Sequence, residues 1–496
     1  MRGVVLLVSF LHCVQSSWAF KFAIARPPKA SSSSSTGGDN NLINKGDQRY
    51  TANITIAGTV VNVILDTGSS DLYVHPPGGL SSNLFNDTRI PANLTFGDGS
   101  DFVAGEICIA KFELGGAVVP FQAFVNVQQE SADNQADEAE AIFGLWGLGF
   151  NTPGASVVND NIQQAFGAKV TDGQSVLANI FQQNPKSNDF LAISLSRLND
   201  TAGTADGSIE IGQLDQKYTA VSKSPVLEQS PPNSGAWTVP MDALKVGGQK
   251  IAWPSTVQGT LAGSNIISLD TGTTNVLMPT AQVDAIYSAI PGAVLTTDNF
   301  VPNVQFSESH AVWVVPCTAQ VAVAATFGGV DFPIHPLDLA DMTIVTAPDG
   351  KTNFTVCIGA FTDIGTPDQI SGGRFDALFG DSFLRNSYTV LDFGTQGNVP
   401  NTAPFVQMLP TTDATASLTD FTSVRQGLLK TMPTELTPVD LVKVMNGSER
   451  VPSSSSSSGS GGSGQKKNDA VGSRTRSGIV PAALMIAIAG ISVMSI

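Results

Sequence analysis

The stretch that decides the fold is residues 62–76, which read NVILDTGSSDLYVHP. The apolar run at residues 63–65 predicts a buried strand, and the Asp-Thr-Gly that follows ends this strand with turn residues. Asp66 therefore stands at the end of a core strand, in a tight loop where hydroxyls and backbone amides surround its carboxyl group. Such surroundings shift the pKa of a carboxylic acid.

A second stretch in the C-terminal half repeats this pattern. Residues 266–279, IISLDTGTTNVLMP, place Asp270 after an apolar run and before a glycine and two hydroxyl residues. A single Asp-Thr-Gly is most often an ordinary turn at a strand end. Two copies with the same flanking residues indicate one structural unit used twice, and each copy supplies one carboxylate.

The paired stretches resemble the active-site loops of the pepsin-like aspartic proteases, and the resemblance extends over about residues 48–408. Residues 94–100, LTFGDGS, resemble the flap hairpin that closes over the substrate. Residues 144–150, GLWGLGF, and 377–383, ALFGDSF, resemble the segments that pack behind each loop. The resemblance implies an all-β, bilobal pepsin-like aspartic protease fold, with the active-site cleft between two pseudo-symmetric lobes.

The same resemblance implies an aspartic endopeptidase that hydrolyses peptide bonds at acid pH with a water activated between two aspartates. Asp66 would hold the water as general base, and Asp270 would donate a proton to the substrate carbonyl. Because the two carboxyls interact, they titrate as a unit. Six further residues are expected to support the pair. Thr67 and Thr271 would exchange hydrogen bonds between the loops, and Gly68 and Gly272 would let backbone amides approach the aspartates. Ser69 and Thr273 would donate hydroxyl hydrogen bonds to the carboxylates.

The flap departs from the family pattern. The expected substrate-binding and flap residues are Tyr73, Phe96, Gly97 and Asp98. The family usually has tyrosine at the position of Phe96, hydrogen-bonded to a tryptophan at the position of Tyr73. Phenylalanine can cover a substrate but cannot donate a hydrogen bond. We therefore expect slower catalysis or a more mobile flap, while the carboxylate pair remains intact.

Two acidic features bear on substrate preference. Asp98 lies at the predicted flap turn, and residues 128–140 carry five carboxylates. These carboxylates either rim the cleft and favour basic substrates, or belong to a solvated surface loop. A carboxylate above the cleft would enrich lysine and arginine near cleaved bonds, and less so as the pH falls through the carboxylate range.

The composition narrows the class of function. The chain has 496 residues, 42% hydrophobic and 14% charged, with 48 glycines, which favours a secreted all-β protein of two domains. A net charge of −16 makes nucleic acid an unsuitable partner. The four histidines lack metal-ligand spacing, so we expect no metal and no cofactor. The expected partners are peptide or protein substrates, and the enzyme is expected to be a monomer.

The ends of the chain predict secretion and attachment. Residues 1–19 read as a signal peptide, and residues 20–45 as a short disordered pro-segment or linker. Residues 451–468 form a Ser/Gly stalk, and residues 469–496 an apolar tail. The tail fits a GPI-anchor signal with attachment at Asn468, and a transmembrane helix is the alternative. The predicted localisation is the secretory pathway, then the cell surface or the extracellular space.

The intervening residues divide into an N-terminal lobe at 46–225, a C-terminal lobe at 226–410 and a helical extension at 411–450. By the resemblance, Cys317 and Cys357 form the disulfide of the C-terminal lobe, and Cys108 stays a buried free thiol. Asn-x-Ser/Thr sequons, which make glycosylation possible on a secreted chain, occur at Asn53, Asn86, Asn93, Asn199, Asn353 and Asn446.

A second class of function stays open at this point. Pepsin-like proteins can be catalytically weak or inactive binding or adhesion proteins of the cell surface, and the altered flap is the feature that favours this class here. Such proteins typically lose an aspartate or the glycine that follows it. This chain keeps both in each copy.

Overall fold

The computed structural model describes ten segments of the chain, and the statements below concern these residues alone. The described residues are 20–23, 43–45, 47, 49–97, 99–185, 188–197, 207–297, 311–364, 372–394 and 403–448. The signal peptide, the stalk, the apolar tail with Asn468, the sequon at Asn199 and the flap residue Asp98 are predictions that lie outside them.

Most of the regular structure is strand. In the first half the strands are β1 Phe20–Ala23, β2 Ile43–Lys45, β3 Arg49–Ile56, β4 Thr59–Asp66, β5 Leu72–Val74, β6 Phe85–Phe96, β7 Asp101–Leu114, β8 Ala117–Glu130, β9 Gly144–Gly147, β10 Phe190–Ser194, β11 Ser208–Ile211 and β12 Leu227–Glu228. In the second half they are β13 Thr238–Met241, β14 Ala243–Val246, β15 Gln249–Lys250, β16 Asn265–Leu269, β17 Val276–Met278, β18 Val294–Thr296, β19 Val312–Val315, β20 Val323–Phe327, β21 Val330–Pro333, β22 Ala340–Thr346, β23 Asn353–Gly359, β24 Phe361–Asp363, β25 Ala377–Phe379, β26 Ser387–Asp392 and β27 Phe405–Pro410.

The helices in the described residues are mostly short. They are α1 Ala132–Glu138, α2 Val157–Phe166, α3 Val176–Gln183, α4 Thr280–Tyr287, α5 Asp381–Leu384, α6 Ala414–Leu429 and α7 Pro438–Met445, with 3-10 turns at Gln216–Lys223 and Pro336–Asp338. None of the helices in the described residues is both long enough and apolar enough to cross a bilayer.

The N-terminal half forms one eight-stranded sheet in the order β2-β3-β4-β9-β5-β8-β7-β6. Strand β4 ends at Asp66 and pairs in parallel with β9, where Asp66 lies opposite Gly147. Strand β5, which follows the first Asp-Thr-Gly loop, pairs with the other side of β9. The loop thus leaves and re-enters the sheet on two sides of one strand, which fixes the position of Asp66.

The C-terminal half repeats this arrangement. Strand β16 leads to Asp270 and pairs in parallel with β25, and β17 pairs with the other side of β25. The C-terminal sheets have the orders β13-β16-β25-β17-β24, β15-β14-β20-β21 and β18-β19-β23-β22. The structural repeat and the all-β bilobal architecture confirm the predicted fold class.

A six-stranded sheet, β1-β11-β10-β26-β27-β12, contains strands from both halves of the chain. Its edge strand β1 begins at Phe20 and pairs with β11. Within residues 20–45, for which the sequence predicts a disordered segment, the described residues 20–23 and 43–45 are paired strands, because β2 also pairs, with β3. Backbone pairing with an otherwise open sheet edge orders these residues, and side-chain composition alone carries no signal of such pairing.

The C-terminal helices pack on the second half of the molecule. Thr437 caps α7 by accepting a hydrogen bond from the amide of Asp440. Leu441 and Val444 of α7 are buried in a cluster with Val314, Val345 and Val356. These helices therefore complete a hydrophobic cluster of the C-terminal half.

Candidate active site

The two Asp-Thr-Gly loops hold their aspartates in the same way. Asp66 is 5% exposed and Asp270 is 7% exposed. The amide of Gly68 donates to Asp66 Oδ1 at 2.7 Å, and the amide of Gly272 donates to Asp270 Oδ1 at 2.8 Å. Each loop thus supplies a backbone donor that orients its own carboxylate in a buried site.

A hydroxyl donor completes each half of the pair. The hydroxyl of Ser69 donates to Asp66 Oδ2, and the hydroxyl of Thr273 donates to Asp270 Oδ2 at 2.8 Å. Both oxygens of each carboxylate therefore have a partner within their own loop. This is the arrangement that the resemblance implied for the residues after each glycine.

The loops are also tied to each other by their threonines. Thr67 Oγ1 donates to the Leu269 carbonyl at 3.1 Å and accepts from the Thr271 amide at 3.0 Å. Thr271 Oγ1 donates to the Leu65 carbonyl at 2.7 Å and accepts from the Thr67 amide at 3.1 Å. These four buried hydrogen bonds join the halves of the chain directly beneath the aspartates.

The glycines bring the two carboxyls close together. A β-carbon at Gly68 would lie 2.6 Å from the carboxyl of Asp270, and one at Gly272 would lie 2.3 Å from Asp66 Oδ1. Each aspartate therefore occupies the space that a side chain at the opposite glycine would need. Only a residue without a β-carbon leaves room for both carboxyls.

Proximity and burial change the acidity of this pair. Burial, and next the neighbouring Asp270 carboxyl, raise the pKa of Asp66 well above its ordinary value. Two like charges in a buried site cannot both ionise readily, so the pair retains one proton into the mildly acid range. A pair that holds one proton offers a base and an acid at the same time.

The aspartates lie in a cleft of about 460 Å³ between the two loops and the flap. Its apolar lining is Ile64, Leu94, Phe96, Leu145, Leu277, Phe375 and Leu378. Its charged lining, besides the aspartate pair, includes Arg49, Asp71, Asp101, Asp137 and Arg374. A cleft of this size with apolar walls and a few charged groups suits an extended peptide.

The flap is the hairpin of β6 and β7. Its turn begins at Gly97, which has a φ of 56°, and the amide of Gly99 bonds to the Phe96 carbonyl at 2.8 Å. The rings of Phe96 and Tyr73 lie 5.9 Å apart. The Tyr73 hydroxyl donates to Asn134 Oδ1 at 2.8 Å. The hydroxyl group of Tyr73 thus bonds to helix α1.

The acidic segment at residues 128–140 has one carboxylate in the cleft and others that lie outside it. It contains the end of strand β8 and helix α1, and Asp137 lines the cleft. Glu130 and Glu138 instead face His75, at 3.5 and 3.2 Å from its ring nitrogens. These three residues form the group of potential metal ligands found among the described residues, with ligand atoms within 4.8 Å of one another.

Sequence reasoning missed two residues of the cleft. Arg49 Nη1 donates to Thr274 Oγ1 at 2.7 Å, and its Nε lies 3.8 Å from Asp137. Asn134 links Tyr73 to the base of the flap. Neither residue belongs to a motif, and partners distant in the chain give no local sequence signal.

The structure describes three of the cysteines and five of the sequons. Cys317 and Cys357 form a disulfide, and Cys108 is a buried free thiol. Among the described sequons, the asparagine is half-buried at Asn53 and exposed at Asn86, Asn93, Asn353 and Asn446. Asn93 also lines the cleft.

Comparison with known proteins finds one family along most of the chain. The sequence model of the family described as "Eukaryotic aspartyl protease" matches residues 49–398. Aspergillopepsin-1 of Aspergillus clavatus is 26% identical over 389 residues, which cover 75% of this chain and 83% of that protein. An aspartic protease of Phaffia rhodozyma is 27% identical over 359 residues, covering 70% and 74%. Penicillopepsin-1 of Talaromyces stipitatus is 26% identical over 380 residues, covering 73% and 80%.

Proposed function

This chain belongs to the eukaryotic aspartyl protease family, and on that premise we propose that it is an aspartic endopeptidase active at acid pH. The observation that carries the proposal is the buried pair of Asp66 and Asp270, each held by an amide and a hydroxyl of its own loop. Family membership alone does not fix activity, so the proposal rests on this geometry.

The reaction needs a nucleophile for the carbonyl carbon and a proton for the leaving nitrogen. Asp66, in its ionised form, takes a proton from a bound water whose oxygen forms the new bond to the carbonyl carbon. Asp270, in its protonated form, donates to the carbonyl oxygen. When the carbon–nitrogen bond breaks, Asp66 gives its proton to the leaving nitrogen, and Asp270 takes a proton back from a hydroxyl of the diol as the carboxylic acid forms, so the pair is again singly protonated.

The proposed substrates are peptides with bulky apolar side chains on either side of the cleaved bond. The apolar walls of the cleft support this preference, because burial of a large side chain there contributes about 1.5–3 kcal/mol. Attraction of basic residues by Asp98 remains a prediction from the sequence. Among the described residues, Asp101 and Asp137 offer carboxylates along the same cleft.

The test of the mechanism is proteolysis at acid pH by the purified enzyme, its inhibition by pepstatin, and two variants. Asp66→Asn and Asp270→Asn should each lose nearly all turnover while they remain folded, because one carboxyl alone cannot both activate water and protonate the product. Asp331→Asn removes a surface carboxylate paired with Lys245 and should leave turnover unchanged.

Two results would contradict this mechanism. Substantial turnover in either aspartate variant would show that the pair is not required, and loss of activity in EDTA would indicate a metal enzyme. A folded wild type without any turnover would favour the alternative of a binding or adhesion protein.

We further propose that the enzyme is a secreted, glycosylated monomer held at the cell surface by a GPI anchor at Asn468. The signal-like N-terminus, the Ser/Gly stalk and the apolar tail support this. Phosphatidylinositol-specific phospholipase C should release it from cell membranes. Release by detergent alone, with Ile496 still detected by mass spectrometry, would indicate a transmembrane tail instead.

A further inference from the structure

The wall of the cleft beneath the flap is held by a buried asparagine. Asn134 of helix α1 is 5% exposed, and Tyr73 of β5 is 2% exposed. The Tyr73 hydroxyl donates to Asn134 Oδ1 at 2.8 Å, and Asn134 Nδ2 donates to Asp101 Oδ1 at 2.6 Å. A single carboxamide thus joins the wall of the cleft to the strand that returns from the flap.

The contacts fix the orientation of this carboxamide. The carboxylate of Asp101 only accepts hydrogen bonds, so the nitrogen of Asn134 must face it. The same nitrogen lies 3.3 Å from the carbonyl of Phe102. The carboxamide oxygen then faces Tyr73 and receives its hydroxyl proton. Asparagine therefore satisfies both partners, whereas an ionised carboxylate at the same position would not.

The start of helix α1 is attached to the same part of the flap. Ser131, the residue before α1, donates through its hydroxyl to Asp101 Oδ1 and through its amide to the Phe102 carbonyl at 2.9 Å. Asp101 and Phe102 are the first two residues of β7, next to the flap turn. Movement of the flap at its base must therefore stretch these hydrogen bonds or move α1.

The far end of α1 faces the second active-site loop. Asp137 lies 3.8 Å from Arg49, whose guanidinium bonds to Thr274 in that loop. Burial, and next the carboxylates of Asp101 on β7, Asp137 on α1, Asp66 at the end of β4 and Glu130 on β8, raise the pKa of the Tyr73 hydroxyl that bonds to the Asn134 carboxamide. Arg49 on β3 pairs with Asp137. Helix α1 consequently contacts the flap, the wall of the cleft and, through Arg49, the loop of Asp270.

We propose that Asn134 is a positioning residue that sets the resting position of the flap over the cleft, through Tyr73 on one side and Asp101 on the other. Phe96 contacts Tyr73 by its ring alone, so the hydrogen bond that steadies this region comes from α1 and not from the flap tip. The proposal rests on the proposed protease function only where its test measures turnover.

The first experiment uses Asn134→Ala with Asn159→Ala as the matched control. Asn159 is an equally buried asparagine, 3% exposed, on helix α2 of the same half. Amide hydrogen exchange in a peptide spanning residues 94–104 should be faster in Asn134→Ala and unchanged in Asn159→Ala. This measurement needs no turnover, so it tests the proposal even if the enzyme proves inactive.

The second experiment compares Tyr73→Phe, Asn134→Ala and the double variant by kinetics. Loss of one buried hydrogen bond should lower kcat/KM about tenfold in each single variant. Because both variants break the same connection, the double variant should be no worse than Asn134→Ala alone. The proposal would be overturned if the losses of kcat/KM in the two single variants multiplied in the double variant. It would also be overturned if amide exchange in residues 94–104 were unchanged in Asn134→Ala.

The third experiment is Asn134→Asp, which places a carboxyl against Asp101. At low pH the two carboxyls can share a proton, and at higher pH they repel each other. The variant should resemble the wild type near the acid end of the pH profile, and its KM should rise more steeply with pH. A parallel loss at every pH would point to a general packing defect and would overturn the positioning role.

Discussion

At the scale of single residues, the site depends on the absence of a β-carbon at the two active-site glycines. Gly68 faces the carboxyl of Asp270, and Gly272 faces the carboxyl of Asp66, with hypothetical β-carbons 2.6 and 2.3 Å from the opposing groups. The Asp-Thr-Gly motif therefore specifies a space for the partner loop in addition to a turn. The requirement is reciprocal, which gives a physical reason for a glycine in both copies.

This reciprocity predicts the effect of Gly68→Ala. The new methyl group should push the Asp270 carboxyl out of position, and turnover should fall at least a hundredfold, because small misplacements at the chemistry are costly. The control is Gly427→Ala on helix α6, where a β-carbon meets nothing within 4 Å. That control should keep full activity and gain up to about 1 kcal/mol of stability. Normal turnover in Gly68→Ala would contradict the close approach of the loops.

At the scale of elements, the C-terminal helices act as part of the core. Arg425 of α6 is 4% exposed and donates to the Ala340 carbonyl at the start of β22. Glu435, between the helices, accepts from the amide of Cys317 at 2.7 Å. The guanidinium of Arg425 also lies 3.7 Å from the sulfur of Cys357. The extension thus contacts both cysteines of the disulfide.

The packing of these helices predicts how truncation behaves. A chain that ends after residue 448 keeps α6 and α7 and should fold and retain full activity. A chain that ends after residue 412 should lose solubility or unfold at a markedly lower temperature, because it uncovers buried apolar residues of the C-terminal half. Thermal unfolding and yield of the two purified chains make the comparison. Equal stability would mean that the helices are dispensable.

At the scale of the whole molecule, buried carboxyls relate stability to pH. Burial raises the pKa of the carboxyl at Asp66, Asp71, Asp341, Asp381 and Asp392. A carboxyl whose pKa is raised by folding stabilises the folded chain below its ordinary pKa, and this contribution is lost as the pH rises toward the raised value.

Asp338 has the opposite effect on how stability depends on pH. Although burial alone would raise its pKa, the guanidiniums of Arg197 and Arg385 lower it to about 2. Its contribution to stability is present above the ordinary carboxyl range and is lost as the pH falls toward that value. The two effects together place the greatest stability in the mildly acid range.

The melting temperature should therefore peak at about pH 3–5, decline toward neutrality and fall steeply at lower pH. Asp381→Asn should flatten the decline toward neutrality, because it removes a buried carboxyl with a raised pKa. Glu113→Gln, at a half-buried position on β7 where the carboxylate pairs with Lys111, should not change the slope. Thermal unfolding from pH 2 to pH 8 provides the test. A maximum at neutral pH would be inconsistent with the burial of these acids in the folded chain.

The sequence by itself determined the architecture and the candidate catalytic pair. Apolar runs that end in Asp-Thr-Gly, repeated with the same flanking residues, predicted β4 and β16 and placed Asp66 and Asp270 at their ends. Strand periodicity, turn residues and helix caps are local properties, so a short stretch of sequence carries them completely.

Only the tertiary structure decided how the flap is held and how strand β1 and the C-terminal helices pack. Tyr73 bonds to Asn134 across 61 residues of sequence, and Arg49 bonds to Thr274 across 225. Strand β1 is ordered by the open edge of β11. The side chains of Tyr73, Asn134, Arg49 and Thr274 each have many possible partners in the unfolded chain. Which of them meet is set by the backbone positions of distant strands, and no local pattern of residues encodes those positions.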